Sequence, residues 1–367
     1  MKRNVFIGII AVLVIILIVA GIYFYRIRTR NAIEVLVQKN KLINILVAGN
    51  INNNEDTNPF YSIISINPEN GNSGITFIPP SYLVEIDGDK SVRIDSIDFE
   101  DDHDIITDSI YKDIHLKISF YMQLYQSDIR RMVDILEGVD LYILDQAKNL
   151  TGTRYGVNYL DGNRIINYIV NSQNQSIYQK YDRILDVLLT LFYKKDTYRK
   201  FVTSQFASEM LRNVKTNILP QEALAIVEIL YKSGNLHSTV LPGRVDENGG
   251  YYVDQVTYKI YEENFLKPIV LNVNNESSIK VKILNGTMIS GLAKKMRNML
   301  TREGLTVVEF GTSPFPPNEN TVIINQKGSI EQLRNVSSII GVDRIYHVID
   351  TGQLNDILII IGKDFAL

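Results

Sequence analysis

Residues 278–304 read SIKVKILNGTMISGLAKKMRNMLTREG, and they hold a complete strand, turn and helix. SIKVKILNG (278–286) alternates apolar and polar side chains as a half-buried strand does. In SGLAKKMRNMLTREG (290–304), Leu292, Met296, Met299 and Leu300 share one helical face, with Lys294, Lys295, Arg297 and Arg302 opposite. Ser290 is the expected N-cap and Gly304 the expected residue just past the helix end. TVVEFG (306–311), TVIINQ (321–326), a helix at 329–340, RIYHVI (344–349) and ILIIIG (357–362) continue it as a small β-α-β-β-α-β-β unit. The Gly286 turn reads as a tight strand-to-helix reversal rather than an anion site.

Upstream the pattern is also α/β. INILVAG (43–49) is a buried strand running into the polar loop INNNEDTN (51–58). YSIISINPENG (61–71) and GITFI (74–78) are strands around a turn. TFIPPSYLVEI (76–86) is a strand, a double-proline break and a second strand, since neither Pro79 nor Pro80 can donate to a ladder. Residues 118–137 place Met122, Tyr125, Ile129, Met132, Val133 and Leu136 at helical spacing, which predicts one helix ending before Gly138. A strand is expected at 139–144, with helices at 163–170, 177–194, 198–215 and 220–233. The acidic run DSIDFEDDHD (95–104) reads as a solvated loop, because it lacks the glycine and final glutamate of a calcium loop.

The chain has 367 residues, 45% hydrophobic and 22% charged, enough for about two globular domains. A net charge of −3 argues against a nucleic-acid binder. Having no cysteine, it has no disulfide, thiolate nucleophile or lipoprotein anchor. His103, His115, His237 and His347 stand in separate segments without zinc-site spacing, so no metal is assigned to them. Residues 5–25, VFIGIIAVLVIILIVAGIYFY, carry no charge. At about 1.5 Å per residue they span roughly 31 Å, the thickness of a bilayer core, and are expected to be a transmembrane helix rather than a cleaved signal. Lys2 and Arg3 before it, against Arg26, Arg28 and Arg30 after it, leave the orientation undecided.

In this order the pieces resemble a LytR-CpsA-Psr (LCP) family protein carrying a LytR C-terminal domain. VKILNGTMISGLAKKMRNMLTREGLTVVEFG (281–311), NTVIINQKG and ILIIIGKDF resemble that tail domain. FIPPSYLVEI resembles the family's I-P-R-D-T-x-V-x-I, MVDILEGVDLYI its V-D-x-L-G-G-V, and YGVNYLDGNRIINYI its L-D-G-x-x-A-L-x-Y segment. LPGRVDENGGYYV resembles a late strand of the same domain. The resemblance implies a cytoplasmic tip (1–4), membrane helix (5–25), stalk (26–42), an α-β-α LCP-like domain with a central mixed sheet (43–270), a linker (271–278) and a LytR C-terminal-like α/β domain (279–367). It further implies a single-pass membrane protein with its main domains outside the cytoplasm. Its expected ligand is a polyprenyl-linked glycan, with peptidoglycan or envelope proteins as further partners, and magnesium as the family's cofactor.

The resemblance also shows losses. The family's arginine and aspartate after the first proline fall on Pro80 and Ser81, a strand-opening aspartate falls on Pro59, and an arginine pair falls on Val170 and Ser172. Arg93, Lys180 and Arg183 remain as ligand-binding candidates. Each charge-assisted bond to a diphosphate is worth about 1.5–3 kcal/mol, and about 1.4 kcal/mol is tenfold in rate, so several losses erase more than about a thousandfold. Two functions follow from the resemblance. One is a magnesium-dependent glycopolymer phosphotransferase with a rearranged basic set; the other is a binding or scaffold protein that keeps the fold without the catalysis. The losses favour the second.

Overall fold

The computed structural model describes residues 31–51, 59–87, 90–144, 153–170, 176–232, 234–271, 278–315, 317–327 and 329–365. The apolar segment 5–25 and Ser172 lie outside them, as does most of the linker. No helix among the described residues is long and apolar enough to cross a membrane.

After a short helix α1 (Ala32–Gln38), the larger part is organised around a six-stranded mixed sheet. Its strands are β1 (Ile43–Asn50), β2 (Pro59–Ile66), β3 (Ser73–Ile78), β6 (Phe120–Tyr125), β9 (Lys215–Thr216) and β10 (Leu236–Val240). Their order is β10-β3-β2-β1-β6-β9, with β1 parallel to β6 and β10 parallel to β3. Three hairpins flank it: β4 (Leu83–Asp87) with β5 (Lys90–Arg93), β7 (Val139–Ile143) with β8 (Gly156–Leu160), and β11 (Arg244–Val245) with β12 (Tyr251–Tyr252).

Side chains alternate across β1, and each set is covered by its own helices. Leu46 and Ala48 join Ile106 and Ile110 of helix α2 (Phe99–Ile114). Ile45 and Val47 join the other core, with helices α3 (Gln126–Ile135), α4 (Gly162–Val170), α5 (Ile177–Tyr193) and α7 (Pro220–Lys232). Helix α6 (Ser204–Leu211) packs beside α7. Helix α8 (Gln255–Tyr261) brings Tyr261 back under β3, where its hydroxyl meets Thr76 at 2.9 Å.

Three sequence expectations are corrected. Residues 120–125 are a central strand, and the helix begins only at Gln126; sheet pairing with β1 outweighs the apparent helical spacing of FYMQLY, whose aromatics suit a strand. The acidic run is no loop: Asp98 caps Glu100 N–H, and Glu100, Asp101 and Asp102 occupy the first turn of α2, where the helix dipole favours negative charge. The helix expected over 198–215 is broken into short pieces before α6 and β9.

The C-terminal unit contains β13 (Lys280–Asn285), α9 (Leu292–Arg302), β14 (Thr306–Thr312), β15 (Val322–Asn325), α10 (Ile330–Ile340), β16 (Ile345–His347) and β17 (Ile357–Ile361). They form a five-stranded sheet in the order β14-β13-β17-β15-β16. Gly291, in left-handed conformation at φ 84°, precedes α9 in place of the expected Ser290 cap. Helices α9 and α10 cover one face of this sheet. Its other face, Leu284, Val322, Ile324, Leu358 and Ile360, packs against Tyr142 and Leu144 from the larger part.

Candidate functional site: the Pro-Pro corner and its surroundings

The corner leaves β3 at Pro79 and is closed by main-chain bonds. Tyr82 N–H donates to Pro79 O at 2.9 Å, Asp95 N–H to Pro80 O at 3.3 Å, and Tyr251 N–H to Ser81 O at 2.8 Å. Pro80 and Ser81 thus serve geometry and offer no charge. On the inner side Tyr181 of α5 donates its hydroxyl to Ile78 O at 2.9 Å and stacks on Phe77, ring centroids 4.3 Å apart.

Beside the corner, where β1 ends and β2 begins, lies a cavity of about 240 Å³. Asn50, Pro59, Tyr61, Asp95, Asp98 and Gln123 contribute to its lining. The amide oxygens Oδ1 of Asn50 and Oε1 of Gln123 are buried without a donor among the described residues. Tyr61 donates its hydroxyl to Ile94 O, and burial, followed by the Asp95 charge, pushes that phenol up to about 12. Gly49 leaves β1 close to β2: a Cβ there would stand 1.9 Å from the Phe60 ring. The cavity therefore presents acceptor oxygens and carboxylates. Such a set repels a diphosphate by itself and contains oxygen donors of the kind a hard cation such as magnesium takes, in Asn50, Asp95, Asp98 and Gln123. Arg93 already engages both Asp95 oxygens, however, and Asp98 Oδ1 accepts Glu100 N–H.

The three remaining cations are placed differently. Arg93 donates to Asp95 through Nε at 3.1 Å and Nη2 at 2.6 Å, so its charge is spent on a neighbour at the corner. Lys180 sits in the first turns of α5, nearly fully buried, and burial lowers the pKa of its ammonium. Arg183, one turn on, donates to Tyr168 O at 2.7 Å and places its guanidinium 5.4 Å from the Tyr168 ring centre. It lines a cleft facing the C-terminal unit, not the corner cavity. Val170 is buried in the core beside α5. The structure thus brings Arg93, Pro59, Pro80, Ser81 and Asp95 together and turns Arg183 elsewhere.

Farther along β3, on the α5 side, an apolar cavity of about 300 Å³ opens among Ile64, Ile75, Leu191, Phe192, Phe206 and Leu230. The Phe77–Tyr181 stack stands between this cavity and the corner, since Ile75, Phe77 and Pro79 follow one another at alternate positions.

Asn50, Asp98 and Gln123 escaped the sequence reading. Gln123 was hidden by the helical reading of 118–137 and Asp98 by the loop reading of 95–104. Asn50, directly after ILVAG, was the one accessible signal.

Comparison with known proteins fits this architecture. A family model described as "LytR cell envelope-related transcriptional attenuator" matches residues 278–365. No curated protein sequence matches the chain. A solved structure described as "TagT bound to LI-WTA" is similar at TM-score 0.51 and 16% identity, covering 65% of this chain and 93% of that one. The ywtF protein from Bacillus subtilis is similar at TM-score 0.50 and 15% identity, covering 63% and 91%. EF0465 from Enterococcus faecalis is similar at TM-score 0.50 and 15% identity, covering 74% and 98%. The larger part has the mixed α/β architecture of these proteins. Residues 278–365 therefore match the LytR C-terminal family model, and the larger part shares its fold with these solved structures.

Proposed function

We propose that this chain is a membrane-anchored, extracytoplasmic envelope protein that binds a polyprenyl-linked glycan, with catalysis weakened or lost. Residues 5–25 supply the anchor, and 43–270 and 279–367 are the outer domains. One observation carries the reading: where a diphosphate needs cations, the corner offers Asp98 and two amide oxygens with no donor among the described residues, and Arg93 is neutralised by Asp95. The apolar cavity supports it by offering isoprenoid units a dry surface beneath α5. The similarity to TagT, described as bound to LI-WTA, supports the ligand class.

The same oxygen set favours a second reading. Held by Asn50, Asp95, Asp98 and Gln123, magnesium would supply the positive charge that the missing arginines do not, and the chain would be a magnesium-dependent glycopolymer phosphotransferase.

The two are separated by reconstituting the full chain in lipid nanodiscs with a polyprenyl-pyrophosphate glycan and magnesium. Retention of the lipid without glycan transfer is the expected result. Sustained transfer that disappears in Asp95→Ala overturns the binding reading and establishes the transferase. Failure to retain the lipid at all removes both.

A further inference from the structure

Between α5 and the chain joining β16 to β17 lies a cleft of about 300 Å³, walled on one side by each domain. Gln179, Asp182 and Arg183 line it from α5, Tyr142 from β7, and Gln326 and Asp350 from the C-terminal domain. Its hydrogen-bonding capacity is incompletely used. Gln326 is 6% exposed; its Oε1 accepts from Asn355 at 2.6 Å, while its Nε2 has no acceptor among the described residues. Arg183 spends Nη1 on Tyr168 O and enters no ion pair among the described residues, which leaves Nε and Nη2 as donors. Asp182 accepts only distantly, from Thr351 N–H at 3.5 Å and its hydroxyl at 3.4 Å, both through Oδ2, so Oδ1 is open.

The charge pattern narrows the ligand. Asp182 and Asp350 oppose an anion, and the Arg183 guanidinium opposes a cation. No group of three or more His, Cys, Asp or Glu among the described residues is arranged to hold a metal. What remains is a neutral ligand with many alternating donors and acceptors. The carboxylate, amide and guanidinium groups that line the cleft suit the hydroxyls of a sugar.

We propose that this interdomain cleft is a carbohydrate subsite for a neutral, hydroxyl-rich sugar ring, built jointly by the LCP-type domain and the C-terminal domain. It deepens the reading given under Proposed function and rests on it, because the sugar would belong to the lipid-linked glycan. Helix α5 joins the two places: Tyr181 touches the corner through Ile78 O, and the next two residues, Asp182 and Arg183, face the cleft. In this arrangement the C-terminal domain selects the glycan.

The test uses the full chain in phosphatidylcholine nanodiscs, titrated calorimetrically with N,N′-diacetylchitobiose, cellobiose and maltose. At least one sugar is expected to bind saturably. Gln326→Leu and Asp182→Ala, which lie on different domains, should each weaken it about tenfold or more, whereas Arg302→Gln on α9 should not. Unchanged thermal melting of both variants excludes simple unfolding, and a destabilised variant is replaced by Gln326→Glu or Asp182→Asn. No saturable binding below about 10 mM, or equal binding by the variants, overturns the proposal. Octaprenyl pyrophosphate retention in the same nanodiscs tests the parent reading separately: lipid without sugar rejects only the cleft, and sugar without lipid rejects only the lipid ligand.

Discussion

Asp186 bolts the two domains together, and its removal can be worked through atom by atom. The side chain is 1% exposed in the middle of α5. Its Oδ1 accepts Ile349 N–H from the C-terminal domain at 2.5 Å, and its Oδ2 meets the Tyr168 hydroxyl. Burial raises its pKa well above the usual carboxylate range, while the two hydrogen bonds it accepts pull the other way. Asp186→Ala strands two donors, each costing about 1–3 kcal/mol when buried. The carboxyl borders the cleft, where water can replace part of what is lost, so about 3 kcal/mol is expected rather than the upper sum. That is roughly a hundredfold or more in local opening, readable as faster amide exchange at Ile349 by mass spectrometry of the peptide spanning 345–351. Asp186→Asn, which keeps an acceptor for Ile349 and can donate to Tyr168, should stay within about 1 kcal/mol of the parent. Equal exchange in the Ala variant and the parent would refute the reasoning.

Two further outcomes follow from the same packing. Gly49→Ala drives a methyl into the buried Phe60 ring, so a loss of about 1–3 kcal/mol is expected in thermal unfolding, and an unchanged melting temperature would show that β1 and β2 can part there. His347 is buried against Tyr193 of α5, and burial lowers its imidazole to about 3. The group is stabilising when neutral, so this contribution is complete above about pH 6.5 and is lost as pH falls toward 3, at most about 5 kcal/mol. Burial pushes Asp182 up to about 6, so its contribution has the opposite sign: complete below about 3.8 and lost as pH rises through 6. His347→Gln should therefore flatten the acid limb of a melting-temperature profile; an unaltered limb would place the acid sensitivity elsewhere.

Much of the fold was readable because its signals are local. The strands at 43–49 and 74–78, the Pro79–Pro80 break and the whole C-terminal pattern follow from side-chain period and turn residues. β6 was not readable that way, since Tyr121, Met122 and Leu124 become strand residues only through pairing with β1, more than seventy positions earlier. The site was less legible for the same reason. That Pro80 and Ser81 bring no charge to the corner could be read from sequence alone. The meeting of Asn50, Asp95 and Gln123 depends on three separate segments, and the cleft between Gln326 and Asp182 on two domains. Arg183 looked like a partner of the corner from its place at the start of α5, yet helical rotation turns it to the opposite side from Tyr181.

The C-terminal sheet wears helices on only one side; its second side is closed by tyrosine and leucine borrowed from the larger domain. Cutting the chain between them would not release two independent modules. Each half would carry away a raw, oily wall, and a shortened transcript or a stray protease nick would yield fragments prone to clump. For this molecule the tail is a supporting partition, so genetic deletion of it reports on collapse of the building as well as on the room removed.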